Sequence, residues 1–160
     1  MNVKDAIKLS IDGGNLVAMG YLADLSEAEL FHRPYPGCNH INWQVGHLIK
    51  SEHDLMEKAA PGGMRALPAD FAEKYTNETS KSDDPRDFCT KVELMQAAAE
   101  QRESTLAALA KIEEVQLDDP TGIAFAPTMG ELFLMQGSHW LMHAGQWAVV
   151  RRQLGRPPLY

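Results

Sequence analysis

The chain has little of what several protein classes require. Its two cysteines, Cys38 and Cys89, are too few for a disulfide framework or a zinc knuckle, which points to a reduced, cytoplasmic setting. No apolar run approaches the roughly 18 residues that a membrane span needs. The first twenty residues, "MNVKDAIKLSIDGGNLVAMG", place Asp12 and two glycines where an export signal needs unbroken apolar sequence, so none is expected. Positive charge is also short. Fifteen Lys and Arg stand against 22 Asp and Glu, a net charge of −7, and the strongest basic group is Arg151-Arg152. That balance argues against a binder of nucleic-acid phosphates. Internal repeats, low-complexity tracts and the alternation of strands are likewise missing. With 44% hydrophobic residues, what remains is one ordinary globular domain over residues 1–160.

Helical periodicity fills that domain. A first helix is expected from Val3 to Leu25, with Ile7, Ile11, Gly14, Ala18 and Tyr21 on one face. Gly13-Gly14 implies a bend or a close helix contact within it. "SEAE" at 26–29 is a capping box for a short turn of helix, and "RPYPGCN" after it is irregular. A second helix starts near Asn39 to Asn42 and ends at "PGG" after Ala60, with Ile41, Val45, Leu48, Leu55 and Ala59 as its apolar stripe. Residues 61–84 form a polar connection long enough to cross over the bundle or rim a site. A third helix is expected from Pro85, a favoured first-turn residue, to about Ile112. "TMGE" at 128–131 is a second capping box, opening a last helix that "GRPP" stops after Leu154. The reading is all-α, a four-helix bundle.

The last helix contains "GSHWLMHAGQ". At 100° per residue His139 and His143 lie about 40° apart on one face, in line with Leu132, Met135, Met142, Gln146 and Val149. They are expected to face the bundle interior. Two readings remain open on spacing alone: a metal pair, or two core histidines satisfied by hydrogen bonds. For a third ligand, His47 is mid-helix on the apolar stripe, and His40 is the reserve at the helix start. His53 lies about 240° around the axis from His47 and is expected in solvent, while His32 sits in the turn. Glu52 interrupts the stripe about 140° from His47, so it is expected to reach a neighbouring helix or a dimer partner. Gln146 supplies either a hydrogen bond behind the ligands, a substrate contact, or only a polar helix end. Tyr35 and His40 line the mouth of the site or serve capping and packing. Trp43, Trp140 and Trp147 read as core or pocket wall.

A tryptophan four residues before a histidine in the second helix ("NWQVGHL"), followed by "HWLMHAGQ" in the fourth, resembles the DinB/YfiT-like superfamily along the whole chain. The resemblance implies an up-down-down-up bundle with residues 61–84 as the crossover. It implies a metal triad of His47, His139 and His143, holding a divalent transition metal (zinc, nickel or iron) with a position left open. Some relatives are thiol transferases using a low-molecular-weight thiol such as bacillithiol, mycothiol or glutathione; others look like metal-dependent hydrolases or isomerases. A metal-dependent enzyme acting on a small-molecule substrate is therefore expected, in a chain that pairs as a homodimer. The alternative is a non-catalytic, stress-linked metal-binding or interaction module, because no acid/base carboxylate stands out near the triad.

Overall fold

The computed structural model describes residues 1–160. Four long helices build it: α1 (Val3–Asp24), α2 (Ile41–Ala59), α4 (Lys91–Lys111) and α5 (Met129–Gln153). A single-turn α3 (Phe71–Lys74) lies in the crossover, and an antiparallel hairpin of β1 (Pro120–Ile123) and β2 (Ala126–Thr128) precedes α5. Helix α5 lies along α1 and packs on α2, and α4 packs on α2 and α1. No helix is long and apolar enough to cross a membrane.

Local chemistry sets the helix starts. Asn2 with Asp5, Thr90 with Glu93 and Thr128 with Glu131 form reciprocal capping boxes for α1, α4 and α5. Helix α2 is capped by a ring: His40 Nδ1 accepts from the Trp43 amide at 3.1 Å. The third long helix therefore begins at Lys91 rather than at Pro85. Pro85–Asp87 make only a separate 3₁₀ turn, and the extended backbone at Phe88 breaks the path before Thr90 restarts it. The hairpin is a second departure from expectation. Its strands of four and three residues are too short to show alternation in sequence. The crossover is not purely polar either, because Phe71 and Tyr75 are buried beneath it. A Cβ at Gly46 would stand 2.1 Å from the Tyr75 ring, so that glycine lets the crossover dock on α2 beside His47.

Helix α5 is turned differently from its apparent stripe. Its buried face runs through Leu132, Gln136, Trp140, Trp147 and Val150, while Met142, Gln146 and Val149 are exposed. The reason is a backbone contact. A Cβ on Gly137 would meet the Ser10 carbonyl oxygen at 2.5 Å, and one on Gly14 the Gly137 oxygen at 2.4 Å. The two glycines let α1 and α5 touch main chain to main chain, which fixes the rotation of α5. His139 and His143 consequently sit half-buried at the edge of the core, not in its interior.

Glu52 does reach across to neighbouring helices. It is 1% exposed; its carboxylate accepts from Thr105 Oγ1 at 2.7 Å and from the Trp140 indole Nε1 at 3.2 Å. It also pairs with Arg102 Nη2 at 3.1 Å. The same guanidinium donates to the Gln136 carbonyl at 3.0 Å, while its buried Nη1 has no partner. Burial pushes the Glu52 carboxyl up, opposed by Arg102 and the two hydrogen bonds.

Two measurements probe this architecture. Glu52→Leu leaves the buried Arg102 unpaired and is expected to cost about 3–5 kcal/mol in urea unfolding. Adding Arg102→Met should recover a substantial part; simple additivity of the two single losses would show the pair to be uncoupled. The second concerns His40, which is fully buried, with Nε2 3.2 Å from the Ser82 carbonyl and its ring between Phe31 and Phe88. Burial and the nearby Arg33 lower its pKa to about 4 from 6.5. Because the fold favours the neutral ring, stability is complete above pH 6.5 and falls as pH drops towards about 4. His40→Asn keeps a capping side chain but does not titrate, so its stability should fall less steeply across that window. An unchanged slope would refute the assignment.

Candidate metal centre

Three imidazoles meet where α2 passes α5. His47 lies six residues into α2, and its ring stacks on Trp43 at 5.1 Å with planes 5° apart. Trp43 is held by its own indole, which donates to the Thr76 carbonyl at 3.0 Å. From α5, one turn apart, come His139 and His143. Ring centroids are 5.6 Å apart for His47–His139, 5.8 Å for His47–His143 and 5.2 Å for His139–His143. One nitrogen from each lies within 4.8 Å of the other two.

The electrostatics suit a cation. Burial lowers the pKa of all three rings, with Lys50 adding to the effect at His47 and His47 at His139. At His143 burial, then His139 and His47, bring it down to about 4. Each ring is thus neutral near physiological pH, the form that donates a lone pair to a metal. The side-chain hydrogen bonds made by histidine rings are those of His32, His40, His53 and His143, and none involves His47 or His139, leaving a lone pair available on each. His143 differs: its Nδ1 lies 2.9 Å from Gln44 Oε1. The donor set fits a divalent transition metal.

Gln44 is the residue that sequence reasoning passed over. It is 2% exposed, three residues before His47 within the quoted "NWQVGHL". Its Oε1 also accepts from the Trp147 indole at 2.9 Å, and its Nε2 donates to the Asn39 carbonyl at 2.7 Å and to Gln146 Oε1 at 3.2 Å. Gln146 itself is exposed and bonds Gln44, not a histidine.

The remaining candidates are placed elsewhere. His40 caps α2 and lies outside the converging triad. His53 is half-buried rather than in solvent, because its Nδ1 finds Gln101 Oε1 at 3.1 Å across to α4. His32 pairs with Gln153 at 3.2 Å, and Tyr35 is exposed away from the site. Trp140 and Trp147 are core, and Trp43 is both core and site wall.

Two clefts flank His47. One, of about 660 Å³, is lined by His47, His139, Leu55, Met135, Met142 and Phe125 with two serines. The other, of about 530 Å³, passes Trp43, Lys50, Asp54 and Tyr75. Phe125, 70% exposed at the hairpin turn, borders both. Asp54 supplies a carboxylate near the triad that the sequence reading did not find; it lies seven residues after His47 and is ion-paired with Lys50. A separate cleft of about 590 Å³ between the ends of α2 and α4 contains no histidine.

No curated protein and no solved structure matches this chain. Residues 17–147 match the DinB superfamily, a span that takes in all of α2 and α4 and the three converging histidines. The chain belongs to the DinB superfamily.

Proposed function

We propose that this protein is a metal-dependent enzyme acting on a small molecule, of the thiol-dependent transferase or hydrolase type. The observation that carries the reading is the position of the triad: three neutral imidazoles converge at the edge of the core, beside an open cleft, instead of deep inside the bundle. His47, His139 and His143 would hold a zinc, nickel or iron ion, which when bound would supply Lewis-acid chemistry by acidifying a coordinated water or thiol. The chain supplies the rest. Leu55, Met135, Met142 and Phe125 hold the apolar part of a substrate and keep water from it, while Ser51 and Ser138 offer hydroxyls for its polar groups. On the other flank of His47, Asp54 and Glu78 line the second cleft, and Asp54 is the carboxylate we assign to take a proton.

The packing of α1 on α5 and of α2 on α4 supports an up-down-down-up order, with residues 61–84 as the crossover. We further propose a cytoplasmic homodimer, with neither nucleic acid nor membrane as partner; sedimentation showing only the 17.8 kDa species at micromolar concentration would refute the dimer. The second reading, a non-catalytic metal-binding or interaction module, draws on the larger cleft, whose lining contains no carboxylate. Melting with and without a chelator separates the two: a structural metal shifts the melting temperature strongly, a catalytic one weakly.

Elemental analysis tests the site. Wild-type protein from metal-supplemented medium is expected to carry one transition metal per chain. His47→Ala and His143→Ala should lose most of it. His53→Ala should keep it, since its partner is Gln101. A metal-free wild type would defeat the reading, and equal loss in all three variants would mean that the wrong histidines were chosen.

A further inference from the structure

The hydrogen bonds around Gln44 determine more than its own placement. An asparagine or glutamine amide is ordinarily ambiguous, because its oxygen and nitrogen are hard to tell apart. Here chemistry removes the ambiguity twice. An indole Nε1–H can only donate, so the atom 2.9 Å from Trp147 Nε1 must be the amide oxygen. A main-chain carbonyl can only accept, so the atom 2.7 Å from the Asn39 oxygen must be the amide NH₂. The oxygen that faces His143 Nδ1 at 2.9 Å is therefore an acceptor, and the hydrogen must be on the ring nitrogen.

We infer that Gln44 is a positioning residue that locks His143 as the Nδ1–H tautomer, so that the bare Nε2 lone pair is the one turned to His47 and His139. The inference rests on the metal reading of the triad for its purpose, although not for its geometry. A lone imidazole has two tautomers and free rotation; a ring committed through Nδ1 to a buried amide keeps one tautomer and one orientation. Gln44 comes from α2, as His47 does, and its amide is braced by Trp147 on α5, four residues beyond His143. One side chain thereby ties the α5 ligand to the helix carrying the α2 ligand. Such outer contacts govern ligand basicity and metal affinity, and losing one weakens binding by about 10- to 100-fold.

Two experiments decide it. Long-range ¹H–¹⁵N spectra of metal-free wild-type protein at pH 7.5 should show His143 protonated at Nδ1 alone; an Nε2–H form would overturn the inference without any variant. Zinc affinity by chelator competition is then compared for Gln44→Leu and Gln44→Glu, with circular dichroism confirming the fold. Gln44→Leu should bind zinc about 10- to 100-fold more weakly and lose the single tautomer. Gln44→Glu, which keeps an acceptor towards Nδ1 though it loses the donor to the Asn39 carbonyl, should retain the single Nδ1–H tautomer and bind zinc more tightly than Gln44→Leu. A folded Gln44→Leu protein with wild-type affinity would overturn the positioning role. A wild type that binds no zinc would defeat the metal reading, while the tautomer spectrum would still decide the lock.

Discussion

A carboxylate in the middle of a helical bundle is costly to bury, and Glu52 is offset only by donors that arrive on two other helices. Thr105 and Arg102 come from α4 and Trp140 from α5. An apolar interface tolerates sliding by a turn at moderate cost, whereas an unpaired buried charge does not. Glu52 therefore selects one register among α2, α4 and α5. His47 lies five residues before Glu52 on α2, and His139 is the neighbour of Trp140 on α5. The same register that satisfies the carboxylate brings the two imidazoles to 5.6 Å. The interaction that specifies the fold also assembles the site, without touching it.

Rotation of α5 is a separate matter, and it explains what could and could not be seen in the sequence. The helix starts marked by capping boxes were legible at "TMGE" because the signal is local: one hydroxyl, one carboxylate, three residues apart. The equivalent box at Thr90 was overlooked beside a proline five residues earlier, an equally local and stronger-looking sign. The facing of α5 had no local sign. Apolar residues surround it, with Leu134, Leu141, Met142 and Val149 all left exposed, so periodicity picks no single stripe. Its buried face depends on Gly137 meeting Ser10 and Gly14 across some 120 residues of chain, which no window of sequence contains.

The site divides along the same line. His139 and His143 were legible as a pair because four-residue spacing puts two imidazoles on one face whatever the rotation. His47 was legible as the mid-helix histidine and through the tryptophan that proves to stack on it. Gln44 was not, since a glutamine inside a helix ordinarily signals an exposed position; only Trp147 and His143, both on α5, give its amide a buried function. Phe125 was hidden in a loop whose hairpin is too short to show a period, yet that hairpin is what carries an aromatic ring to the rim of the triad.

Placing the histidines at the core's edge resolves two opposing demands. Full burial would keep the rings neutral but would close the cleft beside them; full exposure would open it but restore their ordinary protonation. Half-burial lowers all three pKa values while leaving a cleft open at His47 and His139. His143, whose pKa falls to about 4, is also the ring anchored by Gln44, whereas the two rings that line the cleft have no protein hydrogen-bond partner. The triad is thus asymmetric: one ring oriented through the core, two facing the open cleft. That asymmetry follows from α5 being held by Gly137 on one side and Gln44 on the other, which leaves His139 on the open edge between them.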